Sequence, residues 1–275
     1  LLVQADVGYR VWLDGLAQPA DIYGSGANRV AFTAEPGEHV LVMQAEGRRG
    51  NPRINVWTTP DEATMHRSDL TFFQWVAGTT DPQWLGVSFS AFGALPTGPL
   101  RARVLESDWV EETTVLSPGI AANSTTQLPF EIRPKQAPAS AEDGPITVTV
   151  RVEAESWEAS YDMDIDVPVV EPGVTYRRTF RSDVDGSAQY YGVVPPSDFD
   201  PERAYGMILS LHGASVQGIG QARAYSQKDW AYVVAPTNRR PFGFDWEVYG
   251  RLDGLEVLAD AKAHFGHDPT RVHVT

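Results

Sequence analysis

The chain contains no cysteine, which removes disulfide staples, thiolate metal sites and cysteine nucleophiles. Its apolar residues never run on for the ~18 positions that a membrane-spanning helix needs, so nothing in it reads as a membrane span. Positive charge is scarce: 22 Lys and Arg stand against 36 Asp and Glu, a formal net charge of −14. A nucleic-acid binder needs a basic face to neutralise phosphates, so that class is set aside. An acidic surface favours solubility and names no substrate. The chain opens Leu1-Leu2-Val3 with neither an initiator methionine nor a charged region followed by a full apolar stretch. The expectation is an internal piece of a longer protein, its signal peptide removed or never included. Absence of cysteine is compatible with the cytoplasm and with a secreted bacterial enzyme; an extracellular or periplasmic setting is the expected one.

What is present is an ordinary globular composition, 42% hydrophobic and 21% charged over 275 residues, long enough for two or three domains. Residues 1–66 read as a small β unit. Tyr9, Val11 and Leu13 alternate before Asp14-Gly15, a tight-turn pair. Val30-Ala31-Phe32 then leads through Glu35-Pro36-Gly37-Glu38 into His39–Met43, which predicts a hairpin. This unit resembles the jelly-roll accessory modules that precede some bacterial hydrolase domains. Residues 67–172 are β-rich as well. Gln127–Ile132 places apolar side chains at every second position, and Ile146–Val152 alternates along its length. With Gly/Pro/Asn turns between such strands, an immunoglobulin-like sandwich is expected, and Pro134–Pro145 reads as a long exposed loop.

Residues 173–275 change character. Tyr176–Arg181 and Ala188–Val194 flank Asp185-Gly186, a second hairpin signal. Strand 206–211, a helical stretch near 219–228, strand 230–235, an amphipathic helix over Leu252–Phe265, an Asp268-Pro269 turn and strand 271–275 follow. Strands alternating with helices predict βαβ units and a mostly parallel sheet. Strand 271–275 should leave an exposed edge, so this third unit is expected to be the least stable in isolation.

The residues Leu209-Ser210-Leu211-His212-Gly213-Ala214, Trp230–Pro236, Gly250–Leu258 and Asp268–Thr275 occur in an order that resembles the first half of the catalytic domain of prolyl-oligopeptidase-like and related bacterial esterases, in the α/β-hydrolase superfamily. The resemblance implies that Gly213 and Ala214 amides form an oxyanion hole, since glycine after a buried strand lets the chain turn sharply. It implies that strand 271–275 feeds a G-x-S-x-G elbow, and that Ser, Asp or Glu, and His all lie beyond Thr275. None of the six histidines is then the catalytic base, and this chain alone should be inactive. His212 becomes a candidate for orienting the oxyanion loop through its ring.

Asp245 and Trp246 are candidates for the substrate pocket, being placed between a strand end and a helix, although capping competes as an explanation. Arg239-Arg240 reads as an exposed loop charge pair. His264 and His267 read as solvated helix-end cations, and His273 as a packed or edge residue. Asp162, Asp164 and Asp166 alternate as the wet face of a strand, with the wrong spacing for a calcium loop. Asn123-Ser124-Thr125 fits a glycosylation acceptor but is explained by a turn. Most of Trp12, Trp57, Trp75, Trp84, Trp109 and Trp157 should pack in cores.

The fold expected is thus two all-β modules, jelly-roll-like and immunoglobulin-like, followed by a partial α/β-hydrolase domain. The function expected is part of a secreted-type serine esterase or peptidase that uses no cofactor and no metal, acting on a small ester, a peptide or a polysaccharide-linked substrate. The alternatives are a non-catalytic carbohydrate-binding or adhesion β protein and a hydrolase-like protein with its serine replaced.

Overall fold

The computed structural model describes residues 1–20, 29–46, 51–58, 62–92, 98–155, 157, 160–213, 216–239, 243 and 245–275. It is mostly β-sheet, divided among several sheets. Strands β1 (Leu2–Ala5), β2 (Gly8–Leu13), β3 (Leu16–Gln18), β4 (Val30–Ala31), β5 (Leu41–Glu46) and β6 (Ile54–Trp57) make two antiparallel sheets, ordered β4-β1-β6 and β3-β2-β5. Asp14 and Gly15, with φ of 51° and 80°, close the two-residue turn that pairs Leu13 with Leu16. Val3, Tyr9, Val11 and Phe32 supply the core. The predicted 30–43 hairpin does not form. Val30–Ala31 pairs with β1, whereas Leu41–Glu46 pairs along all of β2, so Pro36-Gly37 carries the chain from one sheet to the other. A two-residue β4 offers too short a ladder to hold β5. Two three-stranded sheets also fall short of the eight strands of a jelly roll among the described residues.

Next come β7 (Ala63–Thr71), β8 (Trp75–Val76), β9 (Gln83–Ala91), β10 (Leu100–Val104), β11 (Thr113–Ser117), β12 (Ser124–Ile132), β13 (Ile146–Glu153), β14 (Tyr161–Val167) and β15 (Val169–Val170). Sheets β11-β10-β13-β14 and β12-β9-β7 share one core, in which Val87, Phe89, Leu128 and Phe130 meet Leu100, Ala102, Val148 and Val150. Each such Val, Leu or Phe side chain contributes about 1.5–3 kcal/mol by leaving water. The alternation of β13 holds: the apolar set is buried, while Thr147, Thr149 and Arg151 face Asp166, Asp164 and Asp162 across the ladder. The three aspartates are the wet face of β14. β7 spans residues 66 and 67, and its pairing with β9 is irregular between His66 and Leu70. Residues 134–145 mix exposed and half-buried positions, with Pro138 buried, Pro134 bridged to Val110 and a short 3₁₀ turn at Ala141–Asp143.

The last part contains β16 (Tyr176–Arg181), β17 (Ala188–Val194), β18 (Tyr205–Leu209), α1 (Gly218–Arg223), β19 (Ala231–Pro236), α2 (Val248–His264) and β20 (His267–Val274). They form a mixed sheet ordered β16-β17-β19-β18-β20, antiparallel up to β19 and parallel across β19, β18 and β20. Every residue of β19 is buried, as expected where helices cover both faces. Ala222 of α1 packs with Val233 and Ala235, while Val257 and Ala261 of α2 pack with Val234 and Met207. Side chains of successive strand residues point to opposite faces, so α1 and α2 lie on opposite sides. The α1 approach is close: a Cβ on Gly218 would sit 2.4 Å from the Ala235 oxygen.

Helix α2 departs from the amphipathic pattern expected. Its buried stripe is Gly250, Asp253, Gly254, Val257 and Ala261, while Leu255 is exposed. Small side chains let it lie close to the sheet. The Asp268-Pro269 turn is a bulge inside β20: Tyr205 pairs with His267, Met207 with Val272, and Asp268 Oδ1 accepts from Thr270 N at 2.9 Å.

The sheet is fastened to the sandwich by bonds from side chain to backbone. Thr179 N donates to Gln83 Oε1 (3.0 Å), Trp84 N to Thr179 Oγ1 (2.8 Å) and Ala188 N to Gln127 Oε1 (2.7 Å). Buried Arg178 pairs with Asp260 of α2 at 3.1 Å and with Asp81 at 3.6 Å.

Candidate oxyanion site

β18 ends where the sheet's connections diverge: the chain leaves it through α1 to β19 on one side, then returns through α2 to β20 on the other. A crevice at such a switch point is where open α/β sheets place their ligands. The ladder continues past the end of β18. Thr275 N donates to Leu209 O at 3.0 Å, and Leu211 N donates to Thr275 O at 2.8 Å. Ser210 is fully buried, its hydroxyl donating to Tyr225 Oη at 2.9 Å and accepting from Gln221 Nε2 at 2.8 Å. It is therefore committed to α1.

His212 is buried, with Nδ1 2.8 Å from the Gly213 oxygen and Nε2 3.2 Å from the Thr237 oxygen. Each ring nitrogen thus faces a backbone carbonyl to which it can donate. Trp246 meets the ring edge-on, with centroids 5.0 Å apart, and donates from Nε1 to the His212 oxygen at 2.9 Å. With that carbonyl turned toward the indole, the trans peptide points the Gly213 N–H the other way. Among the described residues no acceptor pairs with this amide.

The loop after β19 braces this corner. Asn238 and Arg239 are non-glycine residues at φ 61° and 59°, a conformation that costs about 1–3 kcal/mol and persists only when its surroundings impose it. Asp253 imposes it: Oδ2 accepts from Asn238 N at 2.7 Å, while Oδ1 has no hydrogen-bond partner among the described residues. Burial pushes this carboxyl up to about 6, against the pull of the Asn238 hydrogen bond and the Arg239 charge. Asn238 Nδ2 donates to the Asp245 oxygen. Arg239 donates to Ser182 Oγ at 2.7 Å and to Asp185, and lies 3.6 Å from Glu256.

His212, Gly213 and Trp246 are thus brought together, whereas Ala214 lies outside the described residues. Asp245 is exposed and its Oδ1 accepts from Glu247 N at 3.0 Å, closing the turn that opens α2. Arg239 is no exposed loop charge, because Ser182 and Asp185 of the β16–β17 turn and Glu256 of α2 hold it; Arg240 lies outside the described residues. His264 is exposed and bonds the Asp260 oxygen at 2.8 Å, His267 is half-buried, and His273 lies edge-on to Trp230. Trp75 is buried in the sandwich core, with half-buried Trp109 and Trp157 packed against it; Trp57 is exposed beneath Arg29. Among the described residues no group of carboxylates and histidines could hold a metal. Sequence reasoning missed Asn238 and Asp253. The signal for Asp253 was its place four residues before Val257 and eight before Ala261, a carboxylate in the buried stripe.

No protein-family model matches the chain, and no curated protein matches it. Among solved structures, a thermostable esterase is similar over 74% of this chain and 69% of its own length, at 12% identity and a TM-score of 0.30. A β-D-glucuronidase from Dictyoglomus thermophilum is similar over 81% of this chain and 39% of its own, at 10% identity and a TM-score of 0.26. At such scores neither likeness bears on activity.

Proposed function

We propose that the chain is the N-terminal and central portion of a serine hydrolase of the α/β-hydrolase type, an esterase or peptidase that works through an acyl-enzyme. Two β modules, divided near residues 66 and 172, precede the first half of the catalytic sheet. The observation that carries this reading is the hydrogen-bonded pairing of Thr275 with Leu209 and Leu211. It sets the C-terminal end of β20 beside the strand that enters His212-Gly213, at the same edge of one parallel sheet. A serine following β20 would face the Gly213 amide across that corner.

In the complete enzyme the serine attacks an ester or amide carbonyl, and the charge that develops on oxygen is met by N–H donors fixed in advance. Losing one such donor costs about 3–4 kcal/mol in the transition state. Gly213 N–H, with the Ala214 amide beside it, supplies this stabilisation. Trp246 and His212 fix the peptide that aims it, and Asp253 fixes the loop that carries the Thr237 oxygen. Collapse of the tetrahedral species expels the leaving group, and water then releases the acyl-enzyme. The 275-residue chain itself holds no triad in this reading and turns over no p-nitrophenyl ester above background. A version extended past Thr275 should hydrolyse such esters and take up a serine-directed phosphonate. An active preparation that labels no serine would end the proposal.

A further inference from the structure

The sandwich sheet β12-β9-β7 has two unlike faces. Val87, Phe89, Leu128 and Phe130 point into the core, so the alternate residues His66, Ser88, Ser90, Thr125 and Gln127 point outward. In a free sandwich that polar face would meet water. Here β4 and the β16–β17 turn stand over it, held by Thr125 Oγ1 on the Arg29 oxygen (3.0 Å) and by Ala188 N on Gln127. Between them lies a cleft of about 520 Å³, lined among others by Arg29, Asp69, Asn123, Thr125, Asp185 and Gln189. That volume falls within the span of small-molecule sites, about 300–1,000 Å³.

Arg29 is held in advance. Its guanidinium stacks 5.0 Å over Trp57, Nη1 donates to His66 Nδ1 at 2.9 Å, and Nε reaches Gln4 Oε1 at 3.4 Å. Because Nδ1 of His66 accepts from Arg29, the ring proton sits on Nε2 and is donated to Ser90 Oγ at 2.6 Å. The pair has the atoms of a serine nucleophile and its base, but the proton is on the wrong nitrogen for abstraction. Its effect is to fix the guanidinium at the cleft wall, with Nη2 carrying no hydrogen bond to a described residue.

We propose that this cleft binds a neutral oligosaccharide. An anion entering it would meet Asp69 and Asp185, and a cation would meet Arg29. A polyhydroxylated, uncharged ligand uses all three, donating to the carboxylates and accepting from the guanidinium. Asp185 is also bonded to Arg239, so the cleft opens beside the same loop that braces His212. The site requires no catalysis, and its test stands apart from the hydrolase reading.

The whole 275-residue chain would be titrated calorimetrically with cellohexaose, xylohexaose and mannohexaose, and amide shifts mapped on the wild type. Saturable binding of at least one, with shifts at Asn123–Gln127 and Asp185–Gln189, is expected. Removing one charge-assisted donor by Arg29→Gln should weaken it roughly tenfold. Ala20→Trp, which fills the cleft from a lining position whose side chain makes no hydrogen bond, should abolish it with the melting temperature unchanged. The proposal is overturned if none of the three binds at about 10 mM, a millimolar ceiling below which recognition has little meaning. It is overturned equally if Ala20→Trp binds as the wild type does, if the shifts map elsewhere, or if polygalacturonate binds more tightly than the neutral chains.

Discussion

Asp253 should make the protein less stable as pH rises through neutrality. The side chain is fully buried, with one oxygen on the Asn238 amide and the other without a hydrogen bond to any described residue. Burial is the main cause that raises its pKa from 3.8 to about 6, with Glu256 adding to it and the Asn238 and Arg239 amides and the Arg239 charge opposing it. A carboxyl whose folded pKa is raised contributes most below its unfolded value, and that contribution is lost as pH rises through the folded one. At about 1.4 kcal/mol per decade, the full loss is roughly 3 kcal/mol, of which about 2 kcal/mol falls between pH 4.5 and 7.5. Asp253→Asn keeps an acceptor for Asn238 N but cannot ionise. Thermal melts of both proteins across that window, read as the difference between them, cancel the other titrating groups. The wild type should lose about 4–8 °C relative to the variant between the two ends. Parallel curves would refute the reasoning, since they would mean that Asp253 is hydrated or already paired.

Three further outcomes follow from packing and protonation. Gly218→Ala forces a Cβ to within 2.4 Å of the Ala235 oxygen, so α1 must lift from β19 at a cost of about 1–3 kcal/mol, measurable as a lower urea midpoint. Gln127→Leu removes the acceptor of Ala188 N and the donor to Thr71 Oγ1; leaving a part-buried amide unsatisfied should cost about 1–3 kcal/mol, and Gln127→Glu should recover part of it. His66, pushed down to about 4 by burial and by the Arg29 charge, should show no imidazole titration by NMR above pH 5.5. Its depressed pKa means that the stability it contributes is present above about 6.5 and lost as pH falls toward 4.

The parts of the fold legible in the sequence are those governed by neighbours in the chain. The Asp185-Gly186 pair marked the β16–β17 turn, and the alternation of Ile146–Val152 marked a strand with one wet face, because both signals are local. What escaped was set by distant partners. Val30–Ala31 chose β1 over β5, and nothing within residues 30–43 records that choice. Helix α2 hides its inner face because closeness to the sheet selects Gly250, Gly254 and Ala261, which carry little hydrophobic signal. At the site, His212-Gly213 was legible as a strand end followed by glycine. Arg239 looked like a surface charge because Ser182, Asp185 and Glu256 are contributed from elsewhere in the chain. The saccharide cleft draws its lining from β4, β7, β12 and a turn near 185, so no stretch of sequence contains it.

The cross-links made by Gln83, Thr179 and Gln127 have a consequence for anyone dividing this protein. Each places a main-chain amide of one side opposite a side-chain oxygen of the other, so severing the chain near residue 172 would strand partners on both halves. The mixed sheet and the sandwich should therefore melt in a single step, and grafting this mixed sheet onto another β module will succeed only where the recipient offers glutamines at the same two heights.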